Sequence, residues 1–375
     1  MNQNETQPYI YLDYAAHTPP NPSVLEIYSS SAINYPANPN SRSVLGKIAF
    51  EKIQQDTNNI ARLLNVKPQE IIFTSGASES NNLAIKGIEA RKNLGKHIIT
   101  TYLEHSSVLG ACEQLKKTGY EIEYVDIDKN GKISLEHLKS LVRNDTVLIS
   151  ICTVDSELGT IQPIEDVKKI ASTYKNCLVH TDATQAVGKV PFFVPDMLTL
   201  TPHKFYGLLG CGILTKATEI NLTPLITGGI SLSAYRSGTP DLAQIAALNY
   251  ALENAISQQA IRYKYVLGLN RFLRENLKTL NNVVINSPDD ASPYILNISV
   301  LKTKPEEVIN LLNERGICIS SKSACTAVQA PSRSVMTLTH DKNRALSSVR
   351  ISLSHLTTKQ ELEIFLTELN RIIKK

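Results

Sequence analysis

The 375-residue sequence predicts an α/β fold: a mostly parallel sheet covered by helices, joined to a smaller α+β unit. Three observations predict it. Short apolar runs alternate with stretches of helical spacing from residue 44 to residue 180. Several of these runs stop at polar or small residues that open the next helix, as parallel strands do when they hand over to crossover helices. Near residue 241 the alternation gives way to one long helical stretch and then to a second, shorter set of runs.

The elements follow in order. Residues 1–20 read as extended, because Pro19, Pro20 and Pro22 prevent an early helix. Residues 23–33 predict a short helix and 34–43 a Pro/Asn-rich loop. Ile48, Ile53, Ile60 and Leu64 give residues 44–65 helical spacing. Strands are predicted at 70–74, 97–101, 121–126, 146–152, 177–180 and 197–200. Helices between them are predicted at 106–117, 134–143 and 164–174, with a turn at Asp128-Lys129-Asn130-Gly131. Residues 241–279 read as helical with a break near Ser257. Beyond them, strands at 294–300, 316–319 and 349–353 and helices at 305–315 and 358–373 make the smaller unit. The residues after Cys325, to about Ala345, read as a flexible loop.

Composition narrows the function. Hydrophobic content of 42% and charged content of 20% are ordinary for a soluble globular chain. The net charge of +4 is small and its two signs are interspersed, which leaves no nucleic-acid footprint. The polar start, Met1 to Gln7, lacks the layout of a signal peptide, and no apolar run approaches membrane-spanning length. Six irregularly spaced cysteines suggest neither a disulfide framework nor a metal site, so a reduced, cytoplasmic protein is expected. Cys152, Cys177 and Cys211 are expected in the core and Cys318 in a structural strand.

The chemistry starts at Thr201-Pro202-His203-Lys204, between an apolar run and the glycine-rich residues 207–212. A strand that ends there leaves these side chains at a sheet's rim, where open α/β sheets place their sites. A lysine amine can form an imine with a carbonyl, the linkage that holds pyridoxal phosphate. Alone the lysine says little, since most of the 39 basic residues are solvated charges. Upstream, however, Val179-His180-Thr181-Asp182 ends in the kind of acid that a protonated pyridinium needs. Further upstream, 71–74 runs into Ser75-Gly76-Ala77-Ser78, small residues whose free N–H groups at a helix start suit a phosphate. Loop, acid and lysine, each at the end of a strand, form a specific constellation.

These stretches resemble the class V, fold-type I pyridoxal-phosphate enzymes, and within them the NifS/IscS-like cysteine desulfurases. The resemblance also rests on Tyr11-Leu12-Asp13-Tyr14-Ala15-Ala16, Asn38-Pro39-Asn40-Ser41-Arg42-Ser43, Phe73 to Ser80, Glu104-His105 and Asp182-Ala183-Thr184-Gln185. It continues through Arg236-Ser237-Gly238-Thr239, Ser323-Ala324-Cys325-Thr326 and Ser348-Val349-Arg350, in family order across nearly the whole chain.

The resemblance implies a seven-stranded-type sheet in a large domain at 15–255, with residues 1–14 and 256–375 forming the small one. It implies that Lys204 holds the cofactor and shuttles protons, that Ala77, Ser78 and His203 take its phosphate, and that Asp182 pairs with its ring nitrogen. Gln185 would meet the ring hydroxyl, His105 would stack on the ring and move protons, and Ser156 and Thr201 occupy further cofactor positions. Arg350 and Asn38 would bind substrate. Thr239 would reach the phosphate of a neighbouring subunit, which implies a homodimer. Cys325 would take sulfur from L-cysteine as a persulfide, leaving alanine, and pass it to an acceptor protein for iron–sulfur cluster assembly or tRNA thiolation. Apart from the resemblance, since the family usually has glycine there, the charge of Lys322 would favour its thiolate. Without the resemblance, Asp182 and His105 read as helix caps, Thr239 as a polar turn, Arg350 as an exposed strand residue and Cys325 as incidental.

Some positions depart from the family. Ser156 stands where it has asparagine, Thr201 where it has serine and Pro202 where it has glycine, and the histidine expected soon after Asn38-Pro39 is absent. Another class V lyase, such as one acting on selenocysteine, and a catalytically impaired cofactor-binding partner subunit are the alternative readings.

Overall fold

The computed structural model describes residues 9–321 and 330–374. A short strand β1 (Ile10–Tyr11) leads to helices α1 (Pro22–Asn34) and α2 (Val44–Leu64). Asn21 caps α1 by accepting from the Ser23 N–H, and Ser43 caps α2 by accepting from Gly46. Asn65 ends α2 in the left-handed conformation, φ 54°.

The predicted alternation then appears. Strand β2 (Ile71–Thr74) is followed by α3 (Ala77–Lys86), β3 (His97–Thr100), α4 (Ser106–Lys116), β4 (Glu121–Tyr124) and α5 (Leu135–Leu141). Next come β5 (Thr146–Ser150), α6 (Ile164–Ala171), β6 (Leu178–Asp182), β7 (Met197–Leu200) and β8 (Gly212–Lys216). These strands form one seven-stranded sheet in the order β2-β8-β7-β6-β5-β3-β4. Every pairing in it is parallel except the two that β8 makes, with β2 and β7. The sequence reading did not anticipate β8, because its glycine-rich approach reads as a turn. Gly212 is required there: a Cβ would lie 2.7 Å from the Gly76 Cα.

Helix α7 (Leu242–Ser257) packs on α1 and α2, and the chain breaks at Gln258 before α8 (Gln259–Leu277). The last part adds β9 (Val283–Ile285), β10 (Ile295–Val300), α9 (Pro305–Asn313) and β11 (Ile317–Cys318). It closes with α10 (Arg333–Thr339), α11 (Lys342–Leu346), β12 (Ser348–Ser352) and α12 (Lys359–Ile373). Strands β12, β10 and β9 pair antiparallel, and β1 joins β11 in parallel. The flexible loop expected up to about Ala345 is corrected over 333–346, which form α10 and α11. Ser332 and Asp341 cap these helices, and Val335 and Ala345 bury their apolar side chains with Leu103 and Leu158.

Among the buried clusters, two matter most for the placement of the site. One lies between the sheet, α2 and α7, with Ile53, Leu200, Ile213 and Leu248 fully buried. The other gathers Leu273, Leu296, Ile351 and Phe365 from the C-terminal part and takes Leu12 from the N-terminal segment.

Candidate active site

The C-terminal ends of β6 and β7 and the β2–α3 turn open on a cavity of about 400 Å³. Lys204 reaches it from the loop after β7. Its Nζ donates to the carbonyls of Ala15 at 2.9 Å and Ala16 at 2.6 Å, so the N-terminal segment holds the amine in place. Asp182, the last residue of β6, is buried in the same wall. Its Oδ1 accepts from the Thr184 N–H and its Oδ2 from Asn81 Nδ2. It therefore caps a turn, where the alternative reading had a helix cap, and also faces the cavity.

Gln185 donates from Nε2 to the Ala15 carbonyl at 2.8 Å and accepts at Oε1 from Lys189 Nζ at 2.7 Å. Lys189 was not singled out in the sequence. Burial and the nearby charges of Lys204 and Arg350 push its amine down to about 7.

The start of α3 could take a phosphate. Gly76 precedes it at φ 152°, with no side-chain cap, so first-turn N–H groups stay open beside Ala77 and Ser78 on the cavity wall. Glu79 in the same turn is balanced. Burial opposes its charge, yet hydrogen bonds from Ser75 and Arg236 hold its carboxyl below the ordinary range. His203 shares a hydrogen bond of 2.9 Å with Thr201 Oγ1, whose own hydrogen goes to the Cys211 carbonyl. The neutral ring must then donate from Nδ1, which leaves Nε2 as an acceptor. Burial first, then Lys204 and His17, lower His203 to about 3. A phosphate there meets a proton acceptor, or a cation once His203 has taken up a proton.

Arg350 is buried and lines the same cavity. Nη2 binds Asp13 at 2.8 Å, Nη1 donates to the Ser156 carbonyl at 3.0 Å, and buried Nε has no partner among the described residues. The exposed-strand alternative for Arg350 is thereby corrected: at 2% exposure it lies in the interior and lines the cavity. Asp13 also accepts from Ser320 Oγ at 2.6 Å, which ties the arginine to the chain just before residue 322. On the other side of 322–329, Ser332 donates to Glu157 at 2.5 Å and Ser334 to Asp155 at 3.0 Å. Arg333 donates to the carbonyls of Tyr102 and Glu104, each at 2.7 Å.

His105 caps α4 and lines the cavity, so it is a cap and a wall residue at once. Ser156 and Thr201 line the cavity too. Cys152 is corrected from a plain core cysteine: it is buried but faces the cavity, and its N–H donates to Glu104 at 2.8 Å. Burial raises the Glu104 carboxyl to about 8. Asn38 and Thr239 are exposed and do not line this cavity; Asn38 Oδ1 accepts from the Asn40 N–H instead. Cys325 and Lys322 lie outside the described residues.

Asn81, Ser107 and Asp13 were missed as site residues. Asp13 could have been found, since it stands in the Tyr11 to Ala16 stretch that carries the resemblance. Asn81 and Ser107 matter through a contact between separate helices, which one sequence does not display.

Among the described residues no helix is long and apolar enough to cross a membrane, and no cluster of His, Cys, Asp and Glu could hold a metal. The family model for class-V aminotransferases matches residues 10–365. The cysteine desulfurase IscS of Dictyoglomus turgidum is 37% identical over 374 residues, covering 98% of this chain and 95% of that one. The solved structure of a NifS-like protein superimposes with a TM-score of 0.92 at 32% identity, over 98% of this chain and 100% of that one. That of SspA in complex with cysteine gives 0.81 at 34% identity, over 93% and 100%.

Proposed function

The chain belongs to the class-V aminotransferase family, and from that premise we propose that it is a cysteine desulfurase using pyridoxal phosphate to turn L-cysteine into L-alanine. One observation carries the reading. A lysine amine, a buried strand-end carboxylate, an open helix start and a buried arginine all line one cavity.

The donor set suits the cofactor group by group. The open N–H groups at α3, with Ser78 and His203, answer a phosphate. Asp182 answers a pyridinium, Gln185 offers an N–H to a ring oxygen, and Lys204 answers an aldehyde. Bound pyridoxal phosphate supplies an electron sink next to the substrate's α-carbon.

The rest falls to the chain. Arg350, whose side chain lines the cavity, binds the substrate carboxylate through its guanidinium. Lys204 holds and moves a proton at Nζ, and the Ala15 and Ala16 carbonyls fix where it does so. The Cys325 thiolate attacks the substrate sulfur. An S–S bond forms and the Cβ–S bond breaks; carbon keeps the electron pair and takes a proton. Alanine leaves, and Cys325 carries the sulfur as a persulfide for an acceptor protein. In this reading 15–255 carries the cofactor and 256–375, with 1–14, carries Cys325. The working form is a cytoplasmic homodimer in which exposed Thr239 serves the neighbour's phosphate site.

The test is alanine formation from L-cysteine by cofactor-loaded protein with a thiol reductant, beside Cys325→Ala. Alanine from the wild type alone is expected. Alanine from both proteins would move the chemistry off Cys325 and favour another lyase. Alanine from neither would remove the desulfurase reading.

A further inference from the structure

The hydrogens around His105 can be counted. Asn81 Nδ2 donates to Asp182 Oδ2 at 2.8 Å and to Ser107 Oγ at 2.9 Å, which uses both of its hydrogens. The opposite amide orientation would face Asn81 Oδ1 to a carboxylate, acceptor against acceptor, so the orientation is fixed. Ser107 Oγ, which accepts from Asn81, lies 2.8 Å from His105 Nδ1 with its own hydrogen available. The Ser107 N–H points at the same nitrogen from 3.2 Å. His105 Nδ1 is therefore the lone-pair nitrogen, and the neutral ring carries its hydrogen on Nε2.

A ring that takes a proton from the cavity must first be bare at Nε2. That would put its hydrogen on Nδ1, against two donors. The hydroxyl could turn away, but the backbone N–H cannot. The charged groups around the ring also leave it neutral. Burial lowers it most; Asp182 raises it, Lys204 and Arg333 lower it, and Glu157 raises it, with a net downward shift.

We infer that the chain Asp182–Asn81–Ser107 locks His105 as a fixed Nε2–H donor, so that Asn81 and Ser107 are positioning residues. The inference rests on the desulfurase reading for its role and on hydrogen-bond geometry for the lock. It revises the expectation that His105 moves protons.

The test is nitrogen NMR of the cofactor-loaded protein with labelled histidine, between pH 6 and 9, for wild type, Ser107→Ala and Ser107→Thr. The wild type should show His105 only as Nε2–H and without titration. Ser107→Ala removes a donor to the neutral ring, so its midpoint should rise by about one unit. Its kcat should fall roughly three- to tenfold with KM unchanged. Ser107→Thr keeps the hydroxyl and should restore both. Wild-type His105 as Nδ1–H, or as imidazolium at neutral pH, would overturn the lock whether or not the alanine variant folds. So would Ser107→Ala signals identical to those of the wild type. A loaded wild type that shows the Nε2–H form but makes no alanine would sink the desulfurase reading and leave the lock standing; alanine made with an Nδ1–H ring would do the reverse.

Discussion

Arg350 is the residue whose removal separates binding from chemistry most cleanly. Its guanidinium is buried against Asp13, so Arg350→Met strands an acid and, in the proposed function, also takes away the substrate's carboxylate partner. Truncating one member of a buried charge pair costs about 2–5 kcal/mol, so KM for L-cysteine should rise at least about thirtyfold. Steady-state kinetics would show this as a KM effect larger than the kcat effect; an unchanged KM would remove Arg350 from the carboxylate site. Lys204, Asp182 and Arg350 were legible in the sequence because each is a chemically distinctive side chain at a strand end or in a strand-like run. Asn81 was not, because an asparagine early in a helix has no chemistry of its own. It matters through Ser107, 26 positions away, and Asp182, 101 positions away.

At the scale of elements, the turn at 155–159 clasps α10 through two buried carboxylates. Burial first, then the neighbouring Glu157 charge, push the Asp155 carboxyl from 3.8 up to about 6. The sign follows from the folded state holding its proton more tightly than the unfolded one. The favourable contribution is present below about pH 4, is lost as pH rises towards 6, and is a standing penalty above that. Asp155→Asn keeps an oxygen for Glu157 and Leu158 and can donate to Ser334, so it should abolish the slope. At pH 7 it should gain about 2–3 kcal/mol. Urea unfolding of both proteins at pH 4 and pH 7 checks this, and equal slopes would refute it. Neither α10 nor β8 was legible. Helix α10 is rich in Ser, Thr and Arg and is stabilised by these polar grips instead of a long apolar stripe. Strand β8 begins at a glycine chosen for close backbone approach, which in sequence looks like a turn. The long strands and helices with regular apolar spacing were legible because period alone identifies them.

At the scale of the whole molecule, the N-terminal segment serves one of the cores and the cavity as well. Leu12 is fully buried in the C-terminal one, although its neighbours Ala15 and Ala16 hold Lys204. Leu12→Ala should cost about 3 kcal/mol and lower the denaturation midpoint without altering the dependence on denaturant. A midpoint equal to that of the wild type would contradict this packing. The dimer reading makes a separate prediction. Mixed subunits of Lys204→Ala and Thr239→Ala, unfolded and refolded together, should form alanine faster than either variant alone. One site in each mixed dimer would be built from the intact lysine and the intact threonine; strictly additive rates would argue against a shared site. One consequence reaches back to biosynthesis. Strand β2 sits at the edge of the sheet and pairs only with β8, so it has no partner while residues 75–211 are still emerging from the ribosome. At about 5–20 residues per second that wait lasts roughly ten seconds. The turn carried by β2 therefore waits for β8 before it is held in the sheet, although β2 itself leaves the ribosome long before β8 does.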